Sequence, residues 1–354
     1  MKRIISVLII MLFTYQTYSQ GCVAIRSTGG ITNMSHTDSS KWQLNINNRY
    51  FKSYKHFVGT TEQKQRIELG NNVINHSYAT DISILHKINS RWSVLVDLPI
   101  LSNTRSSLYE HSNVGRYNTQ SFGVGDIRLA VYSWIVDPHK MPKGNVQIGL
   151  GIKLPTGNYN YQDYFHVTTD SVRLGPVDQS IQLGDGGTGI TFELNSFYNI
   201  SHTISLYQNF YYLSNPREQN GISTTRGGTA SALSIKNGSS VMSVPDQVML
   251  RGGLNATIKK FIYSLGIRYE AIPVTDLVGG SGGFRRPGYI ISAEPGFIYN
   301  TKKVNYYAFA PVALIRSRTQ SIPDKITTAL TGKYTQGDAA FADYSITIGC
   351  SINL

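Results

Sequence analysis

The sequence predicts an all-β protein, a transmembrane antiparallel β-barrel of about twelve strands with long external loops and short periplasmic turns. Three observations lead to this prediction. Stretches of about ten residues alternate between apolar and polar side chains, and the connections between them alternate between short and long. Beyond the first residues, no apolar run reaches the roughly 18 residues that indicate a transmembrane helix. A period of two is typical of strands whose two faces meet different surroundings.

The first element is a leader. Lys2 and Arg3 precede an apolar stretch at 4–13, which is too short to span a bilayer, and small residues follow it. This order is typical of a secretory signal peptide. A lipid attached to Cys22 is the alternative. The predicted division of the chain is a signal peptide at 1–19, a periplasmic N-terminal segment at 20–40 and the barrel at 41–354.

The composition excludes several classes of protein. Only 15% of the residues are charged, whereas soluble proteins average about a quarter. Two cysteines exclude a disulfide-rich scaffold and a cysteine-based zinc site. The net charge of +12 is carried by dispersed residues, so anionic lipid head groups or an anionic solute fit better than nucleic acid. No cofactor and no metal site are predicted, because the histidines are scattered without metal spacing.

Each strand is predicted from its alternation. In 146–155, Ile148, Leu150 and Ile152 occupy one face, while glycines and polar residues occupy the other. Two strands, 203–213 and 304–315, leave their faces ambiguous. The twelve predicted strands are 41–51, 78–88, 92–100, 122–136, 146–155, 189–198, 203–213, 247–257, 262–272, 289–299, 304–315 and 343–353.

The connections are the second signal. Five short ones alternate strictly with six long ones, as the periplasmic turns and external loops of outer-membrane barrels do. A secreted β-sandwich would alternate too, with its apolar face inward. Charges on the polar face of nearly every strand, and aromatic residues such as Trp42, Trp92 and Trp134 near strand ends, favour the membrane barrel. The long loops 156–188 and 214–246 would either fold inward as a constriction or bind surface partners.

The polar face supplies the candidate functional residues. Charged side chains are tolerated in a barrel interior when they form ion pairs or are in contact with water. They would form an interior network of salt bridges, or they would line a path for solutes. The predicted lumen-lining residues are Arg49, Asp81, Lys87, Asp97, Asp126, Arg128, Lys153, Glu193, Arg251, Arg268, Glu270, Glu294 and Asp343.

Four motifs occur in order: "VDLPIL" (96–101), "FGVGDIRLAVYSW" (122–134), "IGLGIKLPTGNY" (148–159) and "LGDGGTGITFEL" (183–194). Together they resemble the outer-membrane barrel family named for the meta-pathway of phenol degradation, over about 100 residues. The resemblance implies a channel-like protein for small hydrophobic or aromatic compounds.

The sequence therefore predicts an outer-membrane channel or porin-like protein for passive passage of small solutes, and no enzyme. Its partners would be outer-membrane lipid and a small-molecule solute. The alternative is a non-conducting scaffold barrel that binds a protein partner through its external loops. A lipid hydrolase is the third reading, but no outward Ser lies on a strand beside His86. Ser281 in "GGSGG" lies in a loop with strands on both sides, whereas a nucleophile elbow needs a strand before it and a helix after it. Whether Cys22 and Cys350 pair stays open.

Overall fold

The computed structural model describes residues 40–354. The predicted leader, most of the segment 20–40 and Cys22 lie outside the described residues. The strands of the wall are β1 (Trp42–Val58), β3 (Ile74–Lys87), β4 (Trp92–Ser107), β5 (Tyr117–Val124), β6 (Arg128–Trp134), β7 (Gly144–Lys153), β10 (Gly189–Asn199), β11 (Ile204–Ser214), β14 (Gln247–Ile258), β15 (Phe261–Ile272), β16 (Gly288–Asn300), β17 (Val304–Phe309), β18 (Val312–Arg318) and β19 (Ala339–Asn353).

Shorter elements lie in the connections. The loop strands are β2 (Thr61–Glu62), β8 (Gln162–His166), β9 (Val172–Pro176), β12 (Gln219–Ser223) and β13 (Val241–Ser243). The α-helices are α1 (Gln65–Glu68), α2 (Ala232–Lys236) and α3 (Ile322–Thr331), and two 3₁₀ helices span Tyr109–His111 and Gln179–Ile181. No helix among residues 40–354 combines the length and the apolarity needed to cross a membrane.

The wall closes on itself with twelve antiparallel strands. Each wall strand pairs with its neighbours in the chain, and β19 pairs with β1. Two of the twelve are interrupted: β5 and β6 form one, and β17 and β18 form another. The second interruption, at Ala310 and Pro311, explains the ambiguous pattern in 304–315, because proline cannot donate to the ladder. A closed sheet has no unpaired edge, which is what a bilayer requires.

The outer face of the wall is apolar. Val96, Leu150, Leu250 and Leu265 are between 44% and 64% exposed, although they lie in the middle of strands. Their sequence neighbours point into the barrel, and Asp97, Arg251 and Ser264 are the buried polar ones among them. An apolar outside with a polar inside is the pattern of a barrel in lipid. Trp134 is an exception to the predicted aromatic girdle, since it is buried inside the barrel.

Several strands are longer than the alternation predicted. β1 has 17 residues and β4 has 16, whereas about 9–11 residues cross a bilayer. β4 continues beyond the predicted end at residue 100 to Ser107 and carries the buried Asn103 and Arg105. The wall therefore rises beyond the lipid on the side of the long loops.

The long loops fold into this raised end of the barrel. Three apolar residues of these loops are at most 1% exposed: Val177 just before the 3₁₀ helix Gln179–Ile181, Ile181 within it, and Val244 directly after β13. Of the two alternatives open from the sequence, the described loops thus adopt the inward one. β8 and β9 form a separate hairpin in the same region.

Candidate functional site

Most of the predicted interior charges are buried within the barrel, and their sequence neighbours on the wall strands point outward. Lys87, Asp126, Glu270 and Asp343 are only partly buried. The buried members are Arg49, Asp81, Asp97, Arg128, Lys153, Glu193, Arg251, Arg268 and Glu294.

One cluster of charges joins β4, β6 and β10. Arg128 forms an ion pair with Glu193, whose Oε1 also accepts a hydrogen bond of 2.9 Å from the Tyr132 hydroxyl. Arg128 lies in register beside Asp97. Tyr132 fits because Gly149 faces it across the ladder: a Cβ at Gly149 would stand 2.5 Å from the tyrosine ring. The glycine leaves the space that the tyrosine fills.

A second cluster joins β14, β15 and β16. Glu294 forms an ion pair of 2.8 Å with Arg251 through one carboxylate oxygen and accepts a hydrogen bond of 3.1 Å from Arg268 with the other. Arg268 also pairs with Glu270 at 2.8 Å. The Arg251 guanidinium lies 5.0 Å from the centre of the Phe309 ring. Two arginines thus share one fully buried carboxylate, and an aromatic ring covers one of them.

Lys153 ties the wall to an inward loop. Its Nζ lies 3.1 Å from Asp126, in the break between β5 and β6, and also pairs with Asp185 of the loop 156–188. It donates a further bond of 2.8 Å to the carbonyl oxygen of Gly187. The loop is therefore held inside the barrel by a lysine that is itself largely buried.

Asp343 lies apart from these clusters. A register shift between Phe51 and Ser53 inserts an extra residue in β19, so the strict alternation assumed from the sequence fails there. The Asp343 carboxylate is instead about a quarter exposed and pairs with Lys55 at 2.9 Å and Arg316 at 2.6 Å. Asp81 keeps to the alternation and accepts a bond of 3.4 Å from Asn47.

The inward loop has its own anchor, which the sequence did not predict. Asp178 precedes the 3₁₀ helix and accepts a hydrogen bond of 2.9 Å from Arg286, while Arg105 of β4 lies 3.5 Å from it. Arg105 also pairs with Glu110 at 3.0 Å. Burial opposes ionisation of Asp178, but the two arginines hold its pKa well below the usual value. The anchor is therefore a charged one at neutral pH.

Two cavities lie along this part of the barrel. The inner cavity has a volume of about 150 Å³, with apolar walls that include Leu101, Leu183 and Leu213 and charged walls that include Arg128 and Lys153. The outer cavity, of about 390 Å³, lies among the long loops. Its walls carry many hydroxyl groups and also include Tyr109, Arg226 and Phe284.

The residues of these loops were missed because no motif marks them. One signal was nevertheless present: Val177, Ile181, Leu183 and Val244 are apolar residues in segments read as external loops. Loops in water are mostly polar, so apolar side chains at such spacing indicate a loop that packs against something. Among residues 40–354, no group of three or more His, Cys, Asp or Glu side chains is placed to hold a metal ion.

No protein-family model and no curated protein sequence matches the chain. Among solved structures, it is similar to the COG4313 outer membrane channel from Pseudomonas putida F1, with a TM-score of 0.58 at 9% sequence identity over 93% of this chain and 99% of that one. The chain has the fold of an outer-membrane barrel. At this identity the likeness concerns the fold alone.

Two further similarities are weaker. A TodX mutant described as a monoaromatic hydrocarbon channel gives a TM-score of 0.45 at 8% identity, covering 96% of this chain and 100% of that one. The toluene transporter TbuX from Ralstonia pickettii gives 0.43 at 8% identity, covering 90% and 91%. These values are too low to add to the argument. The resemblance to the family named for the meta-pathway of phenol degradation stays a prediction.

Proposed function

We propose that this protein is a passive channel in the outer membrane of a Gram-negative-type bacterium, exported by a signal peptide at 1–19, that passes small solutes, including hydrophobic or aromatic ones. The inner cavity carries this proposal. A barrel that only displays external loops needs no space at its centre. This one holds a cavity with both apolar and charged walls, which suits a small molecule with an apolar body and a polar group.

The charges inside the barrel form salt bridges between the wall strands, and the same charges are suited to line a path for solutes. Arg128 with Glu193, and Arg251 and Arg268 with Glu294 and Glu270, balance each other in sign. Balanced pairs keep an interior polar without attracting one sign of ion strongly. The proposed path runs from the outer cavity past the inward loop to the inner cavity, and then past these pairs to the periplasm.

Ion conductance of the purified protein in planar bilayers tests the proposal. We expect wild-type protein to give small or brief currents, because the inward segment narrows the path. Replacing residues 176–183 with a Gly/Ser segment of equal length should give larger and steadier currents. The matched control replaces 167–171, the exposed tip of the β8–β9 hairpin, and should leave the currents unchanged.

The outcome separates the channel from the scaffold. A protein that runs faster on unboiled SDS gels is folded, so silence of both the wild type and the 176–183 replacement would contradict the channel. That result would favour a scaffold barrel that binds a partner through its loops.

A further inference from the structure

We infer that Gln179 and Met242 form a side-chain gate between the outer and inner cavities, and that this gate favours solutes with one ring and a hydrogen-bond donor. The inference deepens the proposed function and rests on it. It starts from the walls: within the described chain, Gln179 and Met242 are the two residues that line both cavities. Both residues therefore border the boundary between the two spaces.

The backbone on the Gln179 side of the gate is fixed. Asp178 accepts a hydrogen bond of 3.0 Å from the Ser180 backbone and is held by Arg286 and Arg105. Ile181, one turn further on, is 1% exposed. This segment is therefore poorly suited to swing as a lid.

The backbone on the Met242 side is fixed as well. The Ser243 backbone donates to the Phe284 carbonyl at 3.1 Å, and the Val244 backbone donates to the Glu218 carbonyl at 3.0 Å. Phe284 also accepts from the Ser243 hydroxyl at 3.0 Å. With both backbones held, opening must come from the side chains.

The two side chains themselves are held loosely. Gln179 donates one hydrogen bond, 2.8 Å from its Nε2 to the Ser243 carbonyl oxygen. Met242 is buried but is an unbranched thioether with three rotatable bonds, so it changes shape readily. Rotation of both side chains would join the cavities without moving the loops.

The chemistry of the gate indicates the solute. The Gln179 Oε1 is buried and has no hydrogen-bond partner among the described residues. Buried acceptors of this kind are rare and costly, so a solute that supplies a donor gains an interaction that the closed gate lacks. The inner cavity, at about 150 Å³, is of the size that accommodates a benzene ring. A ring with a donor group matches both features.

Release from proteoliposomes tests the gate, with arylsulfonates as probes because their permanent charge prevents leakage through lipid. The first pair is 4-hydroxybenzenesulfonate and 4-methoxybenzenesulfonate, which differ in the donor. The third probe, 6-hydroxynaphthalene-2-sulfonate, has a second ring. The gate variants are Gln179→Leu, which keeps the size without the amide, and Met242→Ala. Met249→Ala is the matched control, since Met249 is equally buried but lines neither cavity.

We expect wild-type protein to release the hydroxy probe about tenfold faster than the methoxy probe, the ratio that one hydrogen bond supplies. Gln179→Leu should abolish this preference. Met242→Ala should release all three probes faster and admit the two-ring probe, while Met249→Ala should behave as wild type.

The outcomes separate the gate from the channel. If wild-type protein releases the probes and the two gate variants match it in rate and preference, the gate is wrong and the channel stands. The same holds if only the 176–183 replacement releases them. If every folded variant, including that replacement, retains all probes, the proposed function fails, and the gate fails with it.

Discussion

At the scale of single residues, a buried charge inside the barrel can pair with more than one partner. Glu294 is fully buried and serves two arginines, while Arg251 also rests on an aromatic ring. The members of this cluster are therefore not equivalent. Removing the carboxylate takes a partner from both arginines, of which Arg268 keeps Glu270, whereas removing one arginine leaves the carboxylate with the other.

Glu294→Gln should accordingly destabilise the barrel by about 3–5 kcal/mol, as expected when a buried ion pair loses one partner. Arg251→Gln should cost less, about 1–3 kcal/mol, because Arg268 still satisfies Glu294. Urea unfolding in lipid vesicles, followed by the gel shift between folded and unfolded protein, measures both. Equal losses would mean that the two arginines do not share the carboxylate.

At the scale of the strand, adjacent residues of β14 face opposite sides of the wall, one toward lipid and the next toward the lumen. Leu250 is 44% exposed, and its neighbour Arg251 is buried. We expect Leu250→Arg to cost about 2–4 kcal/mol if the residue lies near the bilayer midplane. Leu250→Ile is the control and should insert normally. Normal insertion of the arginine variant would contradict the assignment of this face to lipid.

The β8–β9 hairpin is held to the rim of the barrel by a histidine. The Nδ1 of His111 accepts a hydrogen bond of 3.1 Å from the backbone of His166, and the His111 ring is buried. Burial lowers the pKa of His111, and His166 and Arg226 lower it further, whereas Glu110 and Asp163 raise it. The neutral ring is therefore the form that holds the hairpin.

This contact should weaken in acid. The pKa of His111 is lower in the folded protein than the unfolded value of about 6.5, so its stabilising effect is present above that value and declines as the pH falls below it. Relative to the intrinsic amide rate, which itself falls in acid, hydrogen exchange in Gln162–His166 and Val172–Pro176 should rise as the pH falls from 7.5 to 5.5. His111→Gln, which still offers an acceptor, should remove that rise. Its persistence in the variant would assign the effect to another group.

At the scale of the whole molecule, the arrangement of long and short connections predicts the orientation. Thr169 lies at the exposed tip of the β8–β9 hairpin, and Lys260 lies in an exposed short turn at the opposite end of the barrel. In a chain with Cys22 and Cys350 changed to Ser, Thr169→Cys should react with a large polyethylene glycol maleimide on intact cells, and Lys260→Cys should react only after solubilisation. If Lys260→Cys alone were labelled on intact cells, the orientation of the barrel in the membrane would be the opposite of the one predicted.

How far the sequence predicts the structure depends on where lipid lies. In the membrane, each residue faces either lipid or lumen, so the alternation predicts strands such as β7 and β14 and the inward faces of Arg251 and Glu294. Beyond the lipid the outer face of β4 need not be apolar, and the pattern fades before the strand ends at Ser107. The contacts of Asp178 with Arg286 join positions 108 apart in two loops, and no local pattern encodes them.

The closure of the wall has a consequence for how the protein is made. The side-chain hydrogen bond between Gln43 and Ser351 joins positions 308 apart, and it crosses the seam where the ladder seals β1 to β19. Until β19 has been synthesised, β1 is an open edge with unpaired backbone groups, which attracts other strands. Contacts between such distant positions also form slowly. Biogenesis therefore requires something to shield the first strand for the whole time of translation and export, and a chain shortened by the last few residues of β19 would reach the membrane unable to seal.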